Sequence, residues 1–334
     1  MAEMRMKGRV CVTGGTGFLG SCIVKKLLED GYSVNTTTRI HTEGKRDISY
    51  LTNLPGASER LQIFDADLDK PDSFGPAIEG CIGVFHVAHP LDLQEQETEQ
   101  VKTKRVMNGL QGILQACADS KTVKRVVYTS SIAAASFSGG EIGPDGLIDE
   151  SCWTDVDMIR SWGAVGGQYI VTKTLSERVA FDFAEELGLD LVSVLPTCTT
   201  GPFLCPRLPD SVRLSMSLFF GEKENYERIG SMSLVHVDDV ARAHIHVFEY
   251  EGAKGRYICS AIDPKIDELC EFISARYPEY QMPTPTADYW KDMPPVKLPG
   301  LSTKKLLETG FEYEKGLEQM LDGAFKCCRE KGFL

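Results

Sequence analysis

Apolar residues follow two different periods along the first two thirds of the chain. Short apolar runs, typical of buried strands, alternate with stretches in which apolar residues return every three or four positions, as on amphipathic helices. The predicted strands are Gly8–Thr13, Tyr32–Thr38, Leu61–Asp65, Ile82–Val87, Arg125–Thr129 and Leu189–Leu195. The predicted helices are Phe18–Glu29, Val101–Ala118 and Val171–Glu186. This alternation predicts βαβ units and a doubly wound parallel sheet of the α/β class, with all strands ending at one edge where ligands bind.

The regular alternation ends at Pro196, after which prolines interrupt the chain. A strand and a helix follow over His236–Phe248, and Asp238 or Asp239 is expected to cap that helix. The remaining predicted elements are a strand at Arg256–Cys259, a proline-rich loop between Gln281 and Gly300, and an amphipathic helix at Leu317–Lys331. We predict a Rossmann-type sheet domain made of residues 1–196 and 234–262. A smaller, interleaved substrate lobe is predicted over residues 197–233 and 263–334.

Composition narrows the class of protein without deciding its function. The 334 residues are 42% hydrophobic and 25% charged, which excludes a disordered or fibrous chain. Subtracting 48 acidic from 36 basic residues gives a net charge of −12, which argues against a nucleic-acid partner because such binding depends largely on Lys and Arg. One small basic pocket for a single phosphate remains compatible with this charge.

The spacing of the cysteines and the hydropathy of the chain predict the compartment in which the protein acts. The eleven cysteines show no CxxC pair and no zinc-like spacing with histidine, so no metal site is expected. The first residues lack an apolar leader, and no stretch approaches the ~18 apolar residues of a membrane span. We therefore expect a cytoplasmic protein with reduced thiols, acting on a small molecule as a monomer or weak dimer, without a membrane partner.

A glycine-rich turn follows the first predicted strand directly. Gly14, Gly17 and Gly20 are spaced three apart and precede the first predicted helix. Glycines allow the backbone to approach a pyrophosphate, and the N-terminus of the helix offers free N–H donors. A glycine-rich turn without a ligand is the alternative, but the position between strand and helix in the first βαβ unit favours a dinucleotide. The predicted contacts in this turn also include Thr16, Phe18 and Leu19.

The end of the second strand indicates which dinucleotide is bound. NAD sites usually carry an acid there, whereas this chain has Arg39, whose guanidinium fits a 2′-phosphate. We therefore predict NADP(H), with Lys45 or Arg46 as a second cation, although Arg39 can also be read as a solvated charge at a strand end. Further residues predicted beside the coenzyme, at the ends of later strands, are Asp67, Leu68, Val87, Ala88, His89 and Thr129.

Three residues predict proton-transfer chemistry at the same edge. Tyr169 and Lys173 are four apart on a predicted helix and therefore share a face. A lysine cation lowers the pKa of a neighbouring tyrosine toward neutrality, so Tyr169 is expected to exchange a proton with a substrate oxygen. Ser131 follows the fifth strand and is expected to hydrogen-bond the substrate carbonyl. Taken singly, the first two could be a surface pair and the serine a cap.

These motifs resemble those of extended short-chain dehydrogenase/reductases. The blocks VTGGTGFLGS, TVKRVVYTSS, YIVTKTLSE and VHVDDVARAHI look like the plant dihydroflavonol reductase branch, and the resemblance spans nearly the whole chain. The blocks FLCPRLPDSV and DESCWTDVD look like those of vestitone (isoflavanone) reductases, and noscapine synthase is also similar. The resemblance implies a Ser131, Tyr169 and Lys173 triad. It also implies that Pro196, Thr197 and Thr199 line the nicotinamide.

Two positions depart from the pattern of the family and bear on the substrate. Ser136 stands where dihydroflavonol reductases commonly have asparagine, and His89 stands where a small residue is expected. The NWYCY signature of cinnamoyl-CoA reductases is absent around Tyr169, which disfavours a thioester substrate. Besides Ser131 and Tyr169, the predicted substrate contacts are His89, Ser136, Phe203 and Leu204.

We predict an NADPH-dependent reductase that transfers a hydride to a ring ketone of a flavonoid-like or isoflavanone-like compound of plant specialised metabolism. One alternative is an NAD(P)+-dependent alcohol or hemiacetal dehydrogenase of alkaloid metabolism, because the same residues serve both directions. Another alternative, from a different class, is a coenzyme-sensing protein without catalysis. An intact Ser131, Tyr169 and Lys173 set argues against that last alternative.

Overall fold

The computed structural model describes residues 7–39, 47–89, 97–163, 166–229, 232–280, 282 and 299–334. Its main feature is a seven-stranded parallel sheet with the order β3-β2-β1-β4-β5-β6-β9. A second, two-stranded parallel sheet pairs β7 with β8. The strands are β1 (Arg9–Thr13), β2 (Ser33–Thr38), β3 (Leu61–Asp65), β4 (Gly83–His86), β5 (Arg125–Thr129), β6 (Leu191–Pro196), β7 (Cys198–Thr200), β8 (Leu234–His236) and β9 (Gly255–Cys259).

Long helices cover both faces of the large sheet. One face packs against α1 (Phe18–Glu29) and α11 (Val237–Glu249), and the other against α5 (Glu99–Ser120) and α7 (Gly167–Leu187). Along β1, Val10 and Val12 belong to the apolar core under α1 and α11, whereas Cys11 belongs to the core under α5 and α7. This is because successive side chains of a strand point to opposite faces. The prediction of a doubly wound α/β fold is confirmed.

The order of the strands places the ligand site at one point of the sheet. The chain runs outward from β1 to β3 and then returns to the other side of β1 with β4. Ligands of such sheets bind beyond the carboxyl ends of the strands, at this reversal. The register pairs Thr13 of β1 with His86 of β4, so the glycine-rich turn and the end of β4 meet there.

The second half of the chain forms a separate apolar core beside β7 and β8. Its buried members include Phe219 in the middle of the segment and Phe325 near the C-terminus, whose ring centroids are 5.2 Å apart. The remaining helices are α2 (Ser49–Thr52), α3 (Ala57–Arg60), α4 (Gly75–Ile78), α6 (Val156–Trp162), α8 (Asp210–Ser215), α9 (Ser217–Phe220), α10 (Tyr226–Ile229), α12 (Ile266–Arg276), α13 (Lys304–Leu307) and α14 (Leu317–Glu330). Short 3-10 turns lie at Pro71–Phe74, Ile132–Ala134 and Lys223–Asn225. Within the described ranges, no helix combines the length and apolar character needed to cross a bilayer.

Two of the differences from the predictions bear on the site. Helix α7 begins at Gly167 instead of Val171, which puts Tyr169 in its first turn. Helix α11 is capped by His236, whose Nδ1 accepts the N–H of Asp238 at 3.0 Å, so the expected aspartate cap is wrong. The reason is that the helix starts directly at the end of β8. Asp239 is instead fully buried and accepts the backbone N–H groups of Glu314 and Lys315.

Candidate active site

The glycine-rich turn leaves room for a ligand only because its side chains are absent. Gly14 has a φ of +72°, and a Cβ there would lie 2.9 Å from the Cα of Ala88. A Cβ on Gly20 would overlap the carbonyl oxygen of Gly14, which also accepts the N–H of Gly17 at 3.0 Å. Helix α1 begins at Phe18, and Gly17, which precedes it, provides no side-chain cap. The free N–H groups of that helix therefore face a cradle suited to a pyrophosphate.

Thr13 fixes the end of β4 against this turn. Its Oγ1 accepts the backbone N–H groups of Val87 and Ala88, each at 3.2 Å, and lies 2.8 Å from Nδ1 of His86. With both lone pairs of Thr13 in use, its hydroxyl donates to His86. Burial, with a smaller effect of the nearby Lys173 charge, lowers the pKa of His86 to about 3, so this imidazole is neutral. Neither Thr13 nor His86 was singled out from the sequence, because only the pairing of the strands brings them together.

The predicted phosphate-selecting end of the site lies beyond β2. Arg39 directly follows the strand and is exposed to solvent, with no ion pair to any residue in the described ranges. Thr16 of the turn is buried beside it, with its hydroxyl 3.5 Å from that of Thr38. The other two cations predicted here, Lys45 and Arg46, lie outside the described residues.

Asp67 lies beyond the neighbouring strand β3. One of its carboxylate oxygens accepts the N–H of Asp69 at 3.1 Å, and its own N–H donates to Ser73 at 3.0 Å. Leu68 packs against the second face of the sheet and lies close to Gly109 of α5. The carboxylate of Asp67 therefore has capacity left to accept a further hydrogen bond.

The three predicted catalytic residues converge beyond the end of β5. Ser131 caps the 3-10 turn Ile132–Ala134, accepting the N–H of Ala133 at 3.2 Å, and its side chain is also hydrogen-bonded to Tyr169. Lys173 donates from Nζ to the carbonyl oxygen of Thr129 at 3.0 Å. The structure thus joins β5, its following turn and the first two turns of α7 in one polar cluster.

The pKa values of this cluster differ from the sequence-based expectation. Burial raises the pKa of Tyr169 above its usual value, and the Ser131 hydrogen bond offsets this only in part. The direction is opposite to the lowering expected from Lys173, because desolvation of the phenol is the largest cause of the shift in the pKa of Tyr169. Burial also lowers the pKa of Lys173 to about 8, while Glu177 opposes that shift. Tyr169 is protonated at neutral pH, as a proton donor must be.

His89 follows β4 and lies beside Tyr169. Its ring lies edge-on to that of Tyr169, with 5.9 Å between centroids. Its Nε2 is buried and has no hydrogen-bond partner among the residues that the structure describes. Burial, reinforced by the charge of Lys173, holds the pKa of His89 well below its usual value. The ring is a neutral group with one free hydrogen-bonding nitrogen beside the proposed proton donor.

Another buried histidine, His244, holds the side chain of Thr129. His244 lies 2.7 Å from the carbonyl oxygen of Val240 through Nδ1 and 2.8 Å from Oγ1 of Thr129 through Nε2. Because a carbonyl can only accept, Nδ1 carries the proton and the Thr129 hydroxyl donates to Nε2. Burial lowers the pKa of His244 to about 4. Thr129 is thereby held in place for its bond to Lys173.

The residues predicted beside the nicotinamide and substrate fall into two groups. Pro196, Thr197 and Thr199 lie buried where β6 passes into β7, with Thr197 donating to the carbonyl oxygen of Cys259 at 3.0 Å. Ser136 closes the serine turn by donating to Ile132 at 3.0 Å.

Phe203 and Leu204 form the second group. Phe203 is only 4% exposed, and its ring centroid lies 6.5 Å from that of Phe18 in the glycine-rich turn. Its backbone N–H donates to the sulfur of Cys327 at 3.4 Å, and the carbonyl oxygen of Leu204 accepts Lys331 at 3.3 Å. Phe203 and Leu204 therefore connect the glycine-rich turn with the C-terminal helix.

Comparison with known proteins decides the family. The profile of the NAD dependent epimerase/dehydratase family matches residues 10–259. The chain belongs to this family. The prediction of a nicotinamide-dependent enzyme fold of the extended short-chain dehydrogenase/reductase type is confirmed. The matched range runs from β1 through β9 and so contains the glycine turn and the whole Ser131, Tyr169 and Lys173 cluster.

Full-length relatives refine this placement. Vestitone reductase of Medicago sativa is 51% identical over 98% of this chain and 99% of its own length. The protein BRI1-5 ENHANCED 1 of Arabidopsis thaliana is 48% identical over 98% of this chain and 90% of its own. Noscapine synthase SDR1 of Papaver somniferum is 44% identical over 99% and 96%. The crystal structure of alfalfa vestitone reductase superposes with a TM-score of 0.85 at 50% identity, covering 98% of this chain and 100% of that one.

Proposed function

We propose that this protein is an NADPH-dependent reductase that reduces a ring ketone of a flavonoid-like or isoflavanone-like metabolite. The observation that carries the proposal is the meeting of Ser131, Tyr169 and Lys173 at the ligand edge of the sheet, beside the glycine turn. The 51% identity to vestitone reductase over nearly the full chain supports the choice of substrate class. The reaction belongs to flavonoid biosynthesis or a related branch of specialised metabolism.

The coenzyme would be held by the turn and the ends of the strands next to it. The pyrophosphate contacts are assigned to the turn, and Arg39 is assigned to the 2′-phosphate, with Lys45 or Arg46 assisting. When bound, the reduced nicotinamide supplies the hydride for the carbonyl carbon. The complete set of proposed coenzyme contacts is Gly14, Thr16, Gly17, Phe18, Leu19, Gly20, Arg39, Lys45, Arg46, Asp67, Leu68, Val87, Ala88, His89, Thr129, Tyr169, Lys173, Pro196, Thr197 and Thr199.

Tyr169 is proposed as the general acid. Its raised pKa keeps the phenol protonated at neutral pH, so the hydroxyl can give its proton to the substrate oxygen as negative charge develops there. Ser131, whose side chain is hydrogen-bonded to Tyr169 in the free protein, is proposed to donate to the same substrate oxygen when the ketone is bound and so to orient the carbonyl. The cation of Lys173 stabilises the phenolate that remains. The carbonyl oxygen of Thr129 fixes the position of that cation.

Substrate selection is assigned to side chains around Tyr169. His89 offers a neutral, unpaired nitrogen next to the phenol, suited to a hydroxyl or carbonyl oxygen of the substrate. Ser136, on the turn after Ser131, is proposed to face the ring system, and Phe203 and Leu204 to border it on the side of the C-terminal helix. A mostly apolar wall with a few polar groups is typical of sites for planar polycyclic ligands.

A second candidate runs the same site in the oxidative direction. The 44% identity to noscapine synthase SDR1 favours an NAD(P)+-dependent alcohol or hemiacetal dehydrogenase. In that direction Tyr169 acts as the base that accepts the proton of the substrate hydroxyl. A coenzyme-sensing protein without catalysis is the remaining alternative.

Initial rates test these three functions together. The purified protein is assayed with NADPH and NADH against isoflavanones, dihydroflavonols and flavanones, and with NADP+ and NAD+ against alcohols and hemiacetals. We expect the highest kcat/KM with NADPH and a ring ketone. Faster oxidation of an alcohol at physiological pH would overturn the reductive assignment. Tight NADPH binding without turnover on any compound would indicate the sensing protein.

We further propose two domains: a sheet domain of residues 1–196 and 234–262, and a smaller lobe of residues 197–233 and 263–334. The separate apolar core around Phe219 and Phe325 supports this division.

A cytoplasmic monomer or weak dimer is also proposed. All eleven cysteines are buried and none forms a disulfide, which is compatible with a reducing compartment. Sedimentation velocity over a range of concentrations tests the oligomeric state, and a fluorescent fusion in plant cells tests the compartment.

A further inference from the structure

Arg256 lies between helix α7, which carries Tyr169 and Lys173, and the turn that follows Ser131. It is the second residue of β9, and its side chain is only 6% exposed. Its guanidinium lies face-on to Trp153, with 3.8 Å between Cζ and the ring centroid. A buried arginine is costly unless its charge is paired and its donors are satisfied, so this placement calls for a specific set of partners.

All five N–H donors of this guanidinium have acceptors. Nε and Nη2 donate to the two carboxylate oxygens of Glu177 at 3.2 and 3.1 Å. Nη2 also donates to the carbonyl oxygen of Ala134 at 3.3 Å. Nη1 donates to the carbonyl oxygens of Glu150 and Cys152 at 3.0 and 2.5 Å. Only a planar fork with five donors can serve this set, and the three donors of a lysine ammonium cannot.

These partners belong to the two elements that carry the triad. Glu177 lies on α7 one helical turn after Lys173 and two turns after Tyr169, on the same helix face. It is completely buried and also accepts the hydroxyl of Ser193 at 2.5 Å. Arg256 is thus attached to the helix that presents the proposed proton donor.

The other partners lead to the catalytic serine. Ala134 ends the turn that Ser131 caps, and its N–H donates to the carbonyl oxygen of Ser131 at 3.0 Å. Thr154, two residues after Cys152, donates its N–H to Ala134 at 2.9 Å and its hydroxyl to Ala133 at 2.7 Å. The guanidinium therefore holds the serine turn, the loop that braces this turn, and α7 in one network.

We propose that Arg256 is a positioning residue for the triad: it sets the distance and angle between Ser131 and Tyr169 without touching the substrate. The inference rests on the proposed reductase function, because the consequence is a loss of alignment during proton transfer. Alignment matters because a misplacement of about 1 Å in an active site can cost about 100-fold in rate. The signal was missed in the sequence, where Arg256 reads only as the start of a strand.

Arg256→Lys tests the proposal, and Arg125→Lys is its matched control. Arg125 is also buried and also binds carbonyl oxygens, those of Val247 and Tyr250 at 2.9 and 2.6 Å, together with the carboxylate of Asp190. It begins β5, at the end of that strand opposite the site. Both variants lose a guanidinium from a buried position, since the Arg256 side chain is 6% and the Arg125 side chain 10% exposed, so a general loss of stability affects both.

The expected result separates catalysis from coenzyme binding. In Arg256→Lys, kcat falls about 10- to 100-fold while the Kd of NADPH stays within about twofold of wild type. Hydrogen exchange of the amides of residues 131–137 and 150–154 becomes faster. In Arg125→Lys, kcat per folded molecule and exchange in these two segments remain as in wild type.

Three outcomes would overturn a part of the account. Equal kcat in the two variants, or unchanged exchange at 131–137 in Arg256→Lys, would refute the positioning role. Absence of turnover by wild type on the ketone panel would refute the proposed function instead, and the exchange measurement would then decide the role of Arg256 alone. If Arg256→Lys does not fold, the double variant Arg256→Met/Glu177→Gln removes both buried charges at once, and the same loss of kcat is expected from it.

Discussion

The glycine-rich turn and the cluster of Ser131, Tyr169 and Lys173 lie at the same edge of one sheet, but different interactions hold them. The turn from Thr13 to Gly20 is one continuous segment, shaped by backbone conformation and by the absence of side chains. The cluster around Tyr169 joins segments far apart in the chain through buried polar groups, including Lys173 on Thr129 and the ion pair of Glu177 with Arg256. The shape of the turn is set within one segment, whereas the geometry of the cluster depends on the register of several elements.

This difference predicts which measurement each substitution changes. Substitutions in the turn should change coenzyme affinity and leave the rate at saturation nearly intact. Substitutions in the cluster should do the reverse.

The largest effect is expected for Tyr169→Phe. Loss of the proton donor should lower kcat by about 100- to 10,000-fold, since positioned acid–base groups contribute this range. The Kd of NADPH, measured by fluorescence titration, should stay close to that of wild type. Tyr32→Phe is the control, because it removes a hydroxyl that donates to Glu249 at 2.7 Å, away from the cluster. A Tyr169→Phe enzyme with more than a tenth of the wild-type kcat would contradict the assignment.

Arg39→Ala tests the phosphate-selecting end of the coenzyme side. A charge-assisted hydrogen bond contributes about 1.5–3 kcal/mol, so the Kd of NADPH should rise about 10- to 100-fold. The Kd of NADH should not change, because NADH lacks the 2′-phosphate. Isothermal titration with both coenzymes measures this. An equal loss for NADPH and NADH would show that Arg39 supports the site in some other way.

Gly14→Ala tests the shape of the turn. The positive φ costs an L-residue about 1–2 kcal/mol, and the new Cβ would press on Ala88, so the Kd of NADPH should rise about tenfold or more. At saturating NADPH, kcat should be within about threefold of wild type. Gly75→Ala is the control, since its φ is ordinary and its Cβ would meet no atom within 4 Å. A fall in kcat without a change in Kd would break the separation between the two regions.

The pH dependence sharpens the catalytic half. The pKa of Lys173 is about 8, so raising the pH through this value removes the cation that stabilises the Tyr169 phenolate, and kcat for reduction should fall. The neighbouring histidines do not titrate in this window, because burial holds the pKa values of His86 and His244 at about 3 and 4 and that of His89 well below its usual value. Values of kcat measured between pH 6 and about 9.5 show this fall as the alkaline limb of the pH profile. Lys173→Arg should remove it, and a limb that persists in that variant would refute its assignment to Lys173.

The smallest effect is expected for His89→Ala. One neutral hydrogen bond to the substrate contributes about 0.5–1.5 kcal/mol to the free energy of binding. Its loss should raise KM for the ketone about two- to tenfold with little change in kcat. His89→Asn restores a donor and an acceptor and should recover part of the loss. Steady-state kinetics at saturating NADPH give both constants. An unchanged KM for every ketone tested would exclude His89 from the substrate contacts.

The same contrast explains how much could be predicted from sequence. The sheet, its main helices and the glycine turn follow from local patterns, because each is specified by residues close together in the chain. Ser131, Tyr169 and Lys173 were recognised from spacing and family resemblance. The raised pKa of Tyr169 was not, because desolvation depends on all the groups packed around the phenol.

Arg256 shows the limit most clearly. Its partners Glu177, Ala134 and Cys152 come from three segments 79 to 122 positions away. Local patterning carries no trace of such a network, since a charged residue near the start of a strand is ordinary. Thr13 and His86 were missed for the same reason, because their bond exists only once β1 and β4 are paired.

The fate of deuterium from labelled NADPH tests the central claim most directly. The enzyme is supplied with an isoflavanone ketone and with NADPH deuterated in turn on each face of the nicotinamide C4, and the product is examined by mass spectrometry and NMR. The account predicts an alcohol that carries one deuterium on the former carbonyl carbon with one of the two labels. Formation of no alcohol, or of an alcohol without deuterium at that carbon with both labels, would contradict a ketone reductase.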